Sequence, residues 1–309
     1  MASIINVVLP IFALILVGFF CRRVGCLGET ASSELNKFVV WLALPALLFD
    51  ATATSSWAQI WQPGFVISVT AGCILIFIIT VILSLRRRRP LADASIDGLS
   101  AAYANTGYIG IPLCKLVFGD EGVLPAIIAT LIVACALFAV GVILVEISLQ
   151  ESKRPHHAAG KVCIALAKNP LIVAPVLGAC WAATGLTLPS PVAQFMSVLG
   201  TAATPCALVS LGAFLAYKHA GRHQGAGSMV LAKLILQPLV TAFLAYRVFQ
   251  LPTMLANSAL LLSALPTGTG PFMLASFYRR EAAIVSRVIL ITTVVSVLTV
   301  SVCLLWMGK

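Results

Sequence analysis

From Phe65 to Leu85 the chain carries no charged side chain, and its polar groups there are only Ser and Thr hydroxyls and one thiol. A helix rises about 1.5 Å per residue, so this stretch matches the roughly 30 Å of hydrocarbon in a bilayer. A soluble helix needs a polar face at helical period, and this one has none. Of 309 residues, 60% are hydrophobic and 10% charged, against roughly a quarter charged in a soluble domain. The chain therefore reads as an all-α membrane protein that crosses the bilayer repeatedly.

Apolar runs bounded by charges or by Pro/Gly-rich breaks predict ten spans, at 4–20, 36–53, 63–85, 95–117, 122–147, 166–186, 192–216, 228–250, 255–278 and 283–307. The first is expected to be retained, because Met1-Ala2-Ser3 is uncharged and Arg22-Arg23 follow the apolar run, the reverse of a secretory signal. Lys and Arg set orientation. Seventeen of the 20 fall on one side: Arg22, Arg23 and Lys37; Arg86 to Arg89; Lys153, Arg154, Lys161 and Lys168; Lys218, Arg222 and Lys233; Arg279, Arg280 and Arg287. Lys115, Arg247 and Lys309 fall on the other. This split predicts both termini on the non-cytoplasmic side of a plasma membrane (a bacterial inner membrane). It also makes the net charge of +10 a topological signal, since a nucleic-acid partner would need those residues on one folded surface.

Self-similarity recurs at an offset of about 160 residues. Leu44-Pro45-Ala46-Leu47-Leu48 aligns with Thr204-Pro205-Cys206-Ala207-Leu208, Asn105-Thr106-Gly107 with Pro266-Thr267-Gly268, and Phe118-Gly119-Asp120-Glu121 with Tyr278-Arg279-Arg280-Glu281. Residues 1–149 and 166–309 then form two five-span repeats joined by a polar, basic cytoplasmic loop at 150–165. Five is odd, so the second copy enters the membrane from the opposite face, as an inverted repeat.

The segments "NTGYIGIPL" (105–113) and "LPTGTGPF" (265–272) put glycine and proline at mid-membrane depth. Irregular backbone survives there only where it is packed in protein or lines a wet cavity. Gly107 and Gly110 are expected to permit an opened backbone, and Pro112 and Pro271 to start new half-helices, where a missing N–H costs nothing. Matched interruptions in two inverted halves point to a transporter's binding site. The helix N-termini near Pro112 and Pro271 suit an anion, with Asn105, Thr106, Tyr108, Thr267 and Thr269 as neutral hydrogen-bonding groups and Gly268 and Gly270 beside them.

With "VVLPIFALILVGF" at 7–19 and the five-plus-five layout, these two motifs resemble the auxin efflux carrier family, whose bacterial members include malonate and other carboxylate permeases. The resemblance covers essentially the whole chain. It implies a scaffold domain and a transport domain, spans 4 and 9 crossing beside a small organic anion, elevator-like alternating access, and frequent homodimerisation. Plant members commonly carry a long hydrophilic central loop that this chain lacks, which favours the compact bacterial type.

Asp50 and Glu146 read as the only acids within spans, and Asp50 is the candidate for proton coupling. Lys115, just past Pro112, either attracts an anion or snorkels to the interface. Asn6, Asn257 and Gln237 read as helix–helix hydrogen-bonding groups, and Arg86 to Arg89 as a loop anchor that also meets anionic lipid. His219 and His223 have i,i+4 spacing but fall in a loop, and the nine cysteines lack CxxC spacing, so no metal site or cofactor is expected. There is no GxxxxGK[ST] loop for ATP and no nucleophile–base cluster within a span, which argues against an ATP-driven pump and an enzyme. The substrate's own gradient, the membrane potential, a proton or sodium remain as energy sources. The sodium reading, that of the bile-acid-transporter-like architecture, needs a cage of oxygens near the two interruptions.

Overall fold

The computed structural model describes residues 2–56, 61–149, 168–216 and 225–308, with side chains from Val8 onward. The whole of the 150–165 connector, His219, His223 and the Asn6 side chain lie outside the described residues. Among the described residues the protein is all-helical, with one isolated β-bridge and no strand. In chain order the helices are α1 (Ala2–Arg23), α2 (Ala31–Ala53), α3 (Pro63–Arg86), α4 (Leu91–Ala102), α5 (Ile111–Phe118), α6 (123–149), α7 (Pro170–Ala183), α8 (Ser190–Leu215), α9 (Ala226–Val248), α10 (Thr253–Ser263), α11 (Gly270–Phe277) and α12 (Ala282–Trp306). Among the described residues six runs are long and apolar enough to cross a membrane: α2, α3, the run Thr106–Leu149 that contains α5 and α6, α8, α9 and α12.

Two compact units partition the chain, each drawing helices from both halves. The first comprises Met1–Gln62, Gly107–Ile128 and Ala167–Lys218, and the second Pro63–Thr106, Ala129–Leu166 and His219–Lys309. Lipid offers apolar side chains no incentive to leave it, so close backbone contact holds membrane helices together. In the first unit α1 and α8 meet where a methyl on Gly18 would strike the Val209 carbonyl, and one on Gly212 the Ile15 carbonyl. The second unit closes α4 against α3 in the same manner, at Gly98 beside Phe77.

Three helical runs contain a π-turn followed, two residues beyond its end, by proline: Val39–Ala43 before Pro45, Thr106–Gly110 before Pro112, and Ala232–Leu236 before Pro238. A proline inside a helix lacks its N–H and its ring crowds the carbonyl four residues back. Widening that turn to the π form relieves both. The second case corrects the expectation for Pro112. Although Pro112 is the second residue of α5, the helical run already begins at Thr106, so the open N-terminus lies several residues upstream of the proline. Pro271 does occupy the first turn of its run, α11.

Left-handed residues recur at corresponding helix ends. Gly25 (φ 86°) and Gly185 (φ 71°) follow α1 and α7, Arg88 (φ 59°) and Gln250 (φ 45°) follow α3 and α9, and Gly119 (φ 70°) and Arg279 (φ 52°) follow α5 and α11. Pro90 and Pro252, both extended, then cap α4 and α10. The left-handed conformation costs a residue with a side chain roughly 1–2 kcal/mol, so chain geometry imposes it on Arg88, Gln250 and Arg279 against local preference.

Candidate functional site

Within the second unit, α4 ends at Ala102 and α10 at Ser263, and the backbone that follows each leaves the helical path. The two interruptions pair. Asn105 N–H donates to the Pro266 carbonyl at 2.8 Å and Gly268 N–H to the Tyr103 carbonyl at 2.9 Å, forming an antiparallel bridge about Ala104 and Thr267. Backbone groups at membrane depth must find partners inside the protein, and here each break supplies the other's. Thr267, fully buried, ties the bridge to two helices: its N–H donates to Thr292 Oγ1 on α12 (3.1 Å) and its hydroxyl to the Ser100 carbonyl on α4 (2.8 Å).

Broken helices also expose carbonyls at the C-terminal ends of their first halves. Helix α9 serves both. Gln237 Nε2 donates to the Ala102 carbonyl at 3.0 Å, and Lys233 Nζ to the Ser263 carbonyl at 2.7 Å. The two residues lie four apart on one helix face, and both are 0% exposed. Among the described residues Lys233 forms no ion pair; the negative end of the α10 dipole faces its ammonium. Lys233 is thus corrected from a loop charge to a buried cap. The reading of Gln237 and Asn257 as helix–helix hydrogen-bonding groups agrees with the structure, Asn257 accepting from Tyr246 at 2.5 Å.

Gly268 and Gly270 act by close approach. Gly107, Gly110, Gly268 and Gly270 are absent from the positive-φ residues, and Gly110 is helical at φ −66°, so the expected opened backbone at 107 and 110 is not a left-handed one. A Cβ at Gly270 would lie 2.7 Å from Tyr103 Cζ, and one at Gly268 3.0 Å from the same ring. That ring packs edge-on against Phe138, centroids 6.0 Å apart.

Of the residues singled out in the sequence, Asn105, Thr106, Thr267, Gly268, Thr269, Gly270 and Pro271 belong to the second unit, with Asn105, Thr106 and Thr267 buried and Thr269 half-buried. Gly107, Tyr108, Gly110, Pro112, Asp50 and Lys115 belong to the first. There Tyr108 donates to Asn36 Oδ1. Asp50, Pro112 and Lys115 line one cavity of about 430 Å³, with Lys115 Nζ 3.4 Å from Asp120. Glu146 accepts from Tyr278 at 2.5 Å. Asp50 and Glu146 are not the only acids in the predicted spans: Asp97, inside 95–117, is 1% exposed.

The profile of the membrane transport protein family matches residues 3–304. A Rhizobium meliloti (strain 1021) protein provisionally named a malonate transporter is 30% identical over 303 residues, covering 97% of this chain and 95% of its own length. The chain belongs to the auxin efflux carrier family of membrane transport proteins. An uncharacterized transporter of Methanothermobacter thermautotrophicus is 26% identical over 299 residues, 94% of each chain. Auxin efflux carrier component 8 of Arabidopsis thaliana is 21% identical over 341 residues, 92% of this chain and 91% of its own. Membership makes this auxin efflux carrier relative an integral membrane transporter and not an enzyme.

Proposed function

We propose that the protein is a secondary carrier of small organic anions, mono- or dicarboxylates, working by elevator-like alternating access as ten spans in two inverted repeats. The observation that carries this reading is the backbone bridge between Ala104 and Thr267, which joins two helix interruptions from opposite halves of the chain. The paired left-handed positions support the repeat. The 44-residue run Thr106–Leu149 supports the count, because it is about twice the length of a crossing and turns at Gly119. Substrate binding is assigned to residues of the two interruptions: Asn105, Thr106, Gly107, Tyr108, Gly110 and Pro112 from one, Thr267 to Pro271 from the other. Neutral hydrogen-bonding groups there hold a carboxylate without a permanent charge of their own. Asp50 and Lys115 flank Pro112 in a cavity where Lys115 draws anions inward. A bacterial inner-membrane location with both termini outside, and a homodimer, complete the reading.

Sodium coupling is disfavoured on a specific ground. A sodium cage at the interruptions would use carbonyl oxygens at the broken helix ends, and at Ser263 that position already has the Lys233 ammonium.

The test is uptake into proteoliposomes against a panel of mono- and dicarboxylates including malonate. Saturable flux stimulated by substrate on the far side supports a carrier. Conductance far above carrier turnover would make the protein a channel, and sodium-dependent uptake would restore the alternative coupling.

A further inference from the structure

The second unit holds a cavity of about 520 Å³ whose polar lining includes Ser84, Arg87, Arg89, Asp97, Ser228 and Glu281. Asp97 projects from α4 five positions before the helix ends at Ala102, roughly 8 Å along the axis from the interruption. Its Oδ2 accepts from Ser84 at 2.9 Å and lies 3.0 Å from Arg89 Nε. Its Oδ1 is buried and has no hydrogen-bond partner among the described residues. A buried carboxylate with one oxygen unserved is an acceptor in need of a donor.

Arg87 also lines the cavity, and the other neighbouring charges have partners or are exposed. Arg89 also reaches Glu281, Nη2 to Oε2 at 3.7 Å, and keeps a quarter of its side chain exposed. Asp93, one turn earlier on α4, is held by Arg280 through two hydrogen bonds of 2.7 and 2.6 Å. On the helices packed around α4, Glu146 is engaged by Tyr278 and Lys233 by the Ser263 carbonyl, while Arg287 on α12 is exposed. Among the described residues Arg89 is the cation paired with Asp97.

We infer that Asp97 is the proton-binding group through which transport is coupled to the proton gradient, with Arg89 as the charge it releases. The inference rests on the carrier reading above and names its coupling ion. A proton entering the cavity forms an O–H bond on the Asp97 carboxylate; no other bond changes, and Arg89 remains a guanidinium. Ionised Asp97 and Glu281 both oppose the charge of Arg89, whereas protonated Asp97 leaves Glu281 alone, at 3.7 Å, to oppose it. The cavity then carries one more unit of positive charge, raising the local concentration of anions in the unit that contains the paired interruptions. Loss of the proton on the other side restores the pair and expels the anion. Proton and anion thus move together, as a symport.

The experiment uses full-length protein in proteoliposomes with radiolabelled malonate and the rest of the carboxylate panel as probes. Wild type is expected to accumulate the anion against its gradient when the lumen is made alkaline, and to alkalinise the outer medium as it does so. Asp97→Asn is expected to lose that accumulation by about tenfold or more while retaining slower exchange of internal for external anion. Arg89→Gln is expected to lower the apparent affinity and flatten its pH dependence. Exchange by wild type with no effect of the pH gradient and no proton movement would overturn the inference and leave the carrier reading standing. Gradient-driven accumulation by Asp97→Asn at the wild-type level would also overturn it. Absence of exchange by wild type across the panel would overturn both. If neither variant yields folded protein, absence of proton movement by wild type would still overturn the inference.

Discussion

The two helix interruptions share a glycine–proline signature but are built differently. After α4 the chain leaves the helix for only Tyr103 to Asn105, then enters a π-turn that runs directly into α5. After α10 the non-helical stretch spans 264–269, and α11 starts afresh with Pro271 in its first turn. The first contributes a bulky ring, Tyr103; the second contributes bare backbone at Gly268 and Gly270 on which that ring lies. Their end caps differ as well, a neutral amide on Ala102 and an ammonium on Ser263. Glycine and proline therefore mark where a membrane helix stops without fixing how, and the two breaks are complementary rather than equivalent.

The sharpest way to break this comparison is Gly270→Leu. The Tyr103 ring lies 2.7 Å from where a Cβ at position 270 would sit and packs edge-on against Phe138, so the larger side chain is expected to part the bridge and cut uptake by tenfold or more, consistent with about 1–3 kcal/mol of overpacking. Adding Tyr103→Ala should recover part of the loss. A double mutant no better than Gly270→Leu alone would show that the ring is not what the glycine accommodates.

The caps come next. A hydrogen bond from a charged donor contributes roughly 1.5–3 kcal/mol and one from a neutral donor roughly 0.5–1.5. Lys233→Met should therefore lower thermal stability in detergent more than Gln237→Leu, and both should impair uptake. The reverse order would mean that relieving a buried, unpaired ammonium outweighs the carbonyl it serves.

Hydropathy made the long spans legible because the bilayer fixes their length, and the Gly/Pro clusters located both interruptions because few other residues end a helix in lipid. The contents of the site were less legible. Lys233 lies near the start of its span, where a count of basic residues treats every lysine as a loop anchor; only the fold shows that a broken helix ends opposite it. Asp97 falls within the predicted span 95–117 but close to Arg86–Arg89, and nothing in the sequence distinguishes a buried acid there from an interfacial one. The left-handed turns at Arg88, Gln250 and Arg279 carry no glycine, so no local signal announces them; their pairing between halves emerges only from backbone angles.

The smallest expected effect separates the two prolines. Pro271 sits where the helix would start regardless, since the first-turn N–H has no acceptor, so Pro271→Ala is expected to leave uptake within about twofold of wild type. Pro112 is different because the π-turn ahead of it exists to seat the ring. Pro112→Ala restores an N–H and allows that turn to close to the α form, removing one residue's worth of winding. Everything after it on α5, Lys115 included, would then rotate by about 100°. A several-fold loss of uptake is expected from Pro112→Ala. Equal tolerance of both substitutions would indicate that the π-turn persists without its proline, and the asymmetry between the interruptions would rest on Tyr103 and the caps alone.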